Sequence, residues 1–217
     1  MRNIGSERPP TMPVDRQTHW DRVYSQKAPV ELSWYQPRPD KSLELIGATG
    51  IGPNEAIIDV GAGASLLADA LLGAGYRDLT VLDVSEQALL TLAARLPQRA
   101  VALLHQDVTR FRPERRYALW HDRAVFHFLM QRAERERYVR ALRESLATGG
   151  HVIIATFGGA GPERCSGLPV MRYDAAALAS ELGTGFELLE AAEELHRTPW
   201  GSTQQFQYCR FRRDSGA

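Results

Sequence analysis

From position 56 onward, short apolar runs alternate with stretches of helical periodicity. Ala56–Val60, Leu79–Val84, Val101–His105, Ala118–Asp122 and His151–Phe157 are each too short for a helix and carry β-branched and Leu residues in near-continuous runs, so they are predicted as buried strands. The segments between them read as helices. Ser65–Leu72 stops at Gly73 and Gly75. Ser85 is a good N-cap for a helix whose inner face is Ala88, Leu89, Leu92, Ala93 and Leu96, closed by Pro97. Gln131–Ala147 is a long charged helix with Tyr138, Val139, Leu142 and Leu146 turned inward, ended by Gly149-Gly150. Strand–helix alternation of this kind builds a parallel sheet. The last part differs: a Gly/Pro-rich loop over 158–170, a helix Ala175–Leu182 capped by Asp174 and stopped by Gly183, then strands Phe186–Leu195 and Gln204–Arg212. Their short connection, 197–202, implies an antiparallel hairpin. The fold class is therefore α/β: a doubly wound, mostly parallel seven-stranded sheet that ends in an antiparallel hairpin.

The segment ahead of the first strand is organised otherwise. Residues 15–27 have a weak helical pattern with Trp20, Val23 and Tyr24 on one side. Residues 28–39 hold three prolines and read as a loop around Trp34-Tyr35; Pro39 and Asp40 then open a second helix with Leu43 and Ile46 inward. This segment is too short and too aromatic to be a separate domain. It is expected to form a helical cap (15–53) over the ligand site of the main domain (54–217), with 1–14 as a polar, disordered tail.

Composition narrows the function classes. The 217 residues are 44% hydrophobic and 24% charged, with 26 basic and 26 acidic residues and no net charge. A nucleic-acid partner would usually call for a basic excess. No apolar run approaches a membrane span, no secretory leader is visible, and two cysteines set neither a disulfide framework nor a metal site. The expectation is a cytoplasmic protein with no metal.

The chemistry concentrates in Ile57-Ile58-Asp59-Val60-Gly61-Ala62-Gly63-Ala64-Ser65: a strand running through an acid into a Gly-x-Gly turn and a helix start. This is the nucleotide-binding corner of a doubly wound fold. A dinucleotide would set its pyrophosphate on the helix N-terminus, where the Asp59 carboxylate is unwelcome. The third glycine of the dinucleotide fingerprint is also missing, since Leu66 stands there. A ligand with a cationic group and no phosphate fits better, and S-adenosylmethionine is such a ligand. Further acids end the next two units, Asp83 and Asp107, at 24-residue intervals.

With Leu119-Trp120-His121-Asp122-Arg123 as a fourth motif and Ala147-Thr148-Gly149-Gly150 before strand five, the chain from Trp20 to Arg212 resembles the class I S-adenosylmethionine-dependent methyltransferases, whose fold is Rossmann-like. The resemblance implies that Gly61, Ala62 and Gly63 admit the cofactor, that Asp59 acts near its methionine ammonium, and that Asp83 with Val84 receives the ribose hydroxyls. Asp107 with the Val108 backbone would meet the adenine amino group, and Asp122 at the end of strand four would be a further cofactor contact. The N-terminal segment resembles a subgroup whose cap carries Trp-Asp-x-x-Tyr and a later Trp, here Trp20-Asp21-Arg22-Val23-Tyr24 and Trp34. Tyr24 and Trp34 can then close over the methionine part. S-adenosyl-L-homocysteine is the implied product.

Methyl transfer needs the nucleophile and methyl held in line, and a base only where the acceptor is protonated. His127, Asp122, Cys165 and His196 are the candidate side chains, each with a bland alternative: His127 as a core histidine, Cys165 as an incidental buried thiol, His196 as a solvated turn residue, Asp122 in an ion pair with Arg123. Trp200 in the hairpin turn is a candidate wall of the acceptor site. The fourth motif lacks the Asn/Asp-Pro-Pro-aromatic segment of enzymes that methylate base amino groups, which again disfavours nucleic acid. The acceptor expected is a small molecule. A protein lysine is the alternative, and a non-catalytic cofactor-binding protein or an NAD-dependent oxidoreductase are competing classes. Oligomeric state is not readable.

Overall fold

A computed structural model describes residues 15–96 and 101–214; the expected tail at 1–14 and the Pro97 helix stop lie outside the described residues. The main sheet has seven strands: β1 (Ile57–Val60), β2 (Leu79–Asp83), β3 (Ala102–His105), β4 (Tyr117–Arg123), β5 (Leu146–Phe157), β8 (Phe186–Arg197) and β9 (Thr203–Arg213). Their order is β3-β2-β1-β4-β5-β9-β8. The first five are parallel; β9 is antiparallel to both β5 and β8. The chain reverses direction across the sheet between β1 and β4, and that switch point opens a crevice at the strands' C-terminal ends.

Strand alternation sorts the core into two faces. Ile58, Trp120, Val152 and Ile154 turn toward α5 (Arg132–Ser145) and α6 (Ala175–Leu182), meeting Tyr138, Leu142 and Leu178. Ile57, Leu119 and Ile153 turn the other way, toward Leu45 and Ile46 of α2 (Asp40–Gly47) and Leu67 and Leu71 of α3 (Leu67–Gly73). Val81 packs on that second side with Leu89 and Leu92 of α4 (Glu86–Ala93). The same parity decides which polar side chains reach the crevice.

Three expectations change in detail. The helix after the Gly-x-Gly turn begins at Leu67, two residues late, because Ser65 spends its hydroxyl on the Leu67 N–H at 3.1 Å. Helix α5 ends at Ser145, and Leu146 already pairs with Tyr117 in the sheet. Gly149 (φ 72°) and Gly150 then form an irregularity inside β5; a side chain at Gly150 would meet the carbonyl of Ala147 at 2.9 Å. The loop at 158–170 contains a small hairpin, β6 (Arg164–Cys165) with β7 (Leu168–Pro169). Ser166 and Gly167 at its turn both have positive φ, 48° and 80°, the geometry such two-residue turns require.

The N-terminal helix α1 (Arg16–Gln26) is capped by Asp15 and lies against α4. Its Asp21 accepts from the Ser85 hydroxyl at 2.7 Å and from the Gln87 N–H at 3.3 Å, so one carboxylate ties the helix to the start of α4.

Candidate active site

The crevice is a cleft of about 1210 Å³, open mouth included, between the C-terminal ends of β1, β2 and β4 and the N-terminal segment. Its floor is the Gly-x-Gly turn. Gly61 and Gly63 have φ of 62° and 57°, a region where only glycine is comfortable. A Cβ at Gly61 would lie 1.9 Å from Val125, and one at Gly63 would lie 2.0 Å from the Tyr24 hydroxyl. Both glycines are therefore needed for space as well as for backbone shape.

Asp83 is buried at the end of β2. Its Oδ2 accepts from the Gly63 N–H and its Oδ1 from the Ser85 N–H, both at 2.8 Å, so the carboxylate fixes the turn that forms the floor. Burial pushes its carboxyl up to about 6, against the pull of those N–H groups. Val84 beside it lines the cleft. Asp107 and Val108 line the far end, where Asp107 Oδ1 holds the Thr109 N–H and hydroxyl at 2.8 Å. Arg16 closes that end, standing 3.8 Å from Asp107 and 2.6 Å from Glu134.

Asp59 is buried on the α2 side of β1, in register with His121 of β4. Its Oδ1 accepts from His121 Nδ1 at 2.7 Å. His121 Nε2 lies 2.9 Å from the Ser42 hydroxyl, so in the neutral ring Ser42 donates to it. This buried Asp59–His121–Ser42 chain links β1, β4 and α2 at the base of the cleft. His121 lies within the fourth motif, where no local pattern gives it a role. The signal that finds it is parity: on β4 it falls on the same face as Asp59, whereas Asp122 does not.

Asp122 is accordingly placed on the opposite face of the sheet. It accepts from the Val125 and Phe126 N–H groups at 2.9 and 3.1 Å and from the Tyr138 hydroxyl at 2.6 Å, and Tyr138 in turn accepts from Trp120 Nε1 at 2.9 Å. Burial raises its carboxyl to about 6. It does not line the cleft, and its geometry is that of a side chain holding the turn after β4 rather than one touching a ligand. The ion pair with Arg123 that the sequence allowed is not formed. Arg123 points to the cleft side instead.

The other candidates separate similarly. His127 is fully buried between Phe128 and Phe157, with Nδ1 accepting the Phe157 N–H at 3.3 Å. Burial drives its pKa down to about 3, so the ring is neutral, and it does not line the cleft. His196 is within β8 rather than in the turn; its Nε2 donates to the Ser33 carbonyl at 2.7 Å and so pins the loop of the N-terminal segment. Cys165 does line the cleft, but burial pushes its thiol up to about 12, which keeps it protonated and a poor nucleophile. Trp200 is 61% exposed at the hairpin end and takes no part in the cleft.

Tyr24 and Trp34 both line the cleft, and with Trp20 and Phe128 they form an aromatic cluster with centroids 5.2–6.4 Å apart, edge-to-face except for the tilted Trp20–Tyr24 pair. Ala124 beside them has φ 73°, a costly backbone for alanine, held by an Ala124 N–H to Ala155 carbonyl bond of 2.8 Å.

A family model described as a methyltransferase domain matches residues 57–150. Among solved structures, the fold superimposes with TM-score 0.72 at 20% identity, covering 93% of both chains, on a protein studied for conversion of a disulfide bond into a thioacetal group during echinomycin biosynthesis. N-methyltransferase NodS from Bradyrhizobium japonicum in complex with S-adenosyl-L-homocysteine gives 0.71 at 16%, covering 91% of this chain and 97% of that one. These likenesses establish the fold. Human eEF1A lysine and N-terminal methyltransferase is 27% identical over 142 residues, which is 62% of this chain but only 19% of that protein; the match thus spans a small part of the curated relative. The chain carries a methyltransferase domain over residues 57–150 and has the fold of the S-adenosylmethionine-dependent methyltransferases it superimposes on. It is an enzyme, and S-adenosylmethionine is its cofactor. Among the described residues no helix is long and apolar enough to cross a membrane.

Proposed function

We propose that the enzyme methylates a small-molecule acceptor held under the N-terminal cap. The observation that carries this is the composition of the cleft. Its three acids, Asp59, Asp83 and Asp107, all belong to the cofactor strands β1 to β3 or their ends, while the opposite end is walled by Trp34, Tyr35, Phe128 and Arg123. A lysine acceptor is better served by an open, acid-rimmed channel than by one that carries a guanidinium.

The cofactor supplies an electrophilic methyl on a sulfonium, and the neutral thioether left behind needs no acid to help it leave. The residues then have four tasks. Gly61 and Gly63 keep the floor flat. Asp83, fixed by two N–H groups, offers acceptor lone pairs to ribose hydroxyls. The outer oxygen of Asp59, which makes no hydrogen bond among the described residues, attracts the methionine ammonium while His121 holds its partner oxygen. Tyr24, Trp20 and Trp34 exclude water over the reacting end, which strengthens every charge interaction beneath them. Among the described residues lining the cleft, no histidine or carboxylate stands with Trp34, Tyr35, Phe128 and Arg123 at the acceptor end, so positioning carries the rate.

The match to a lysine and N-terminal methyltransferase favours a second reading, a protein acceptor. One experiment separates the two: incubate the enzyme with methyl-tritiated S-adenosylmethionine and a cell extract, then divide the products by size. Label in the small-molecule fraction is expected. Label confined to protein overturns the proposal.

A further inference from the structure

We infer that Arg123 is the anchor for a carboxylate on the acceptor, so that the substrate class is a small organic acid. This rests on the small-acceptor reading above. Arg123 is two residues beyond His121 on β4, hence on the same face and about 6–7 Å further toward the strand's end. It lines the cleft, yet its side chain is only 10% exposed. A buried guanidinium needs its charge and its N–H groups answered.

Here they are answered incompletely. Nε donates to the Tyr208 hydroxyl at 2.8 Å and Nη1 to the Trp34 carbonyl at 3.1 Å. Nη2 is buried and makes no hydrogen bond among the described residues; Glu194 stands 3.8 Å from it, too far to satisfy it. Glu194 is itself engaged, accepting from Tyr208 at 3.1 Å and from Gln36 at 3.1 Å. The guanidinium carbon of Arg123 lies over the Phe206 ring, 4.3 Å from its centroid, a cation–π contact that helps hold the group in place. A fork of N–H donors held rigid at the aromatic end of a cleft is suited to a planar carboxylate, which accepts two parallel bonds. The Trp34, Tyr35 and Phe128 walls suit an aromatic or otherwise flat body attached to it.

The test uses the full chain saturated with S-adenosylhomocysteine and titrated calorimetrically with benzoate and with benzamide, which differ in the charge of one group. Benzoate is expected to bind at least about tenfold tighter than benzamide. Arg123→Lys keeps the charge but removes the fork, and should weaken benzoate about tenfold while leaving S-adenosylhomocysteine affinity unchanged, which also shows that the variant is folded. Glu194→Gln removes the competing anion and should tighten benzoate. Equal binding of acid and amide, or no binding of either, overturns the inference. So does an Arg123→Lys variant that loses S-adenosylhomocysteine but keeps 5′-methylthioadenosine, since Arg123 would then grip the cofactor's own carboxylate. In the tritium assay, label on a neutral or cationic small molecule defeats the carboxylate anchor alone. Label on protein alone defeats the small-acceptor reading, with the benzoate titration still reporting on Arg123.

Discussion

Asp83 is buried where it holds the glycine turn, and the proposed ribose contact needs it ionised, so the two demands conflict. Its carboxyl is raised from 3.8 to about 6, so ionising it in the folded chain costs about 3 kcal/mol more than in the unfolded chain. For an acid whose folded value is raised, stability is full below the unfolded value, falls as pH climbs from about 4 to about 6, and is flat above. Asp122 is raised in the same way and acts over the same window, so total stability against pH does not isolate either. The comparison that does is wild type against Asp83→Asn in urea unfolding. Asparagine cannot ionise, and its amide N–H group opposes one of the two N–H donors, which costs a roughly pH-independent 1–3 kcal/mol. Wild-type stability minus that of the variant should therefore fall by about 3 kcal/mol between about pH 4 and pH 7, from a wild-type advantage to parity or a deficit. Cofactor binding should run the other way. Ribose hydroxyls donate to the ionised form, so S-adenosylhomocysteine affinity should weaken as pH drops below about 6, approaching tenfold per pH unit. A stability gap that does not move with pH, together with an affinity that stays flat down to about pH 5, would refute the reasoning.

Gly63→Ala should abolish S-adenosylhomocysteine binding in calorimetry with circular dichroism little changed, because its methyl meets the Tyr24 hydroxyl at 2.0 Å; near-normal affinity counts against the floor described above. His127→Phe should lower stability by about 1–3 kcal/mol, by stranding the Phe157 N–H, and leave cofactor affinity and turnover intact; a selective loss of kcat restores His127 as a catalyst. Asp21→Ala should cost about 1 kcal/mol for the lost tie to Ser85 and Gln87 and speed amide exchange in α1 more than in α5. Ala124→Gly exchanges an αL penalty of about 1–2 kcal/mol for a backbone-entropy cost of about 0.5–1 kcal/mol, so its melting temperature should hold or rise, and a clear fall would mean the Ala124 methyl matters for packing.

The strand–helix alternation made the parallel sheet legible, because central strands buried on both faces must be short, apolar and β-branched, as Ile57–Val60 is. The closing hairpin was legible for the opposite reason: two strands with too little chain between them for a crossover. The Gly-x-Gly turn at the base of the cleft could be read because that pattern has few other uses after a strand. The acceptor end could not. Asp122 looks like a site acid in sequence, but a strand sends successive side chains to opposite faces, and the face is set by register with β1. Once Asp59 is placed on the cleft side, its partner in register, His121, must follow, and Asp122 must not. His127 and His196 failed for a different cause, since each is consumed by one long-range backbone contact, Phe157 and Ser33, that no local pattern announces. The β6–β7 hairpin was hidden because two-residue strands carry no periodicity.

Helix α1 is fastened at three points along eleven residues: Arg16 to Asp107 and Glu134, Asp21 to the start of α4, and Tyr24 over Gly63. The same helix contributes Arg16, Trp20 and Tyr24 to the lining of the cleft. On the proposed cofactor pose, loosening this helix would widen the way in and out for a bound nucleoside. Where product exit past this helix limits turnover, the steady-state rate follows how readily its Arg16 and Asp21 contacts open rather than how fast the methyl moves.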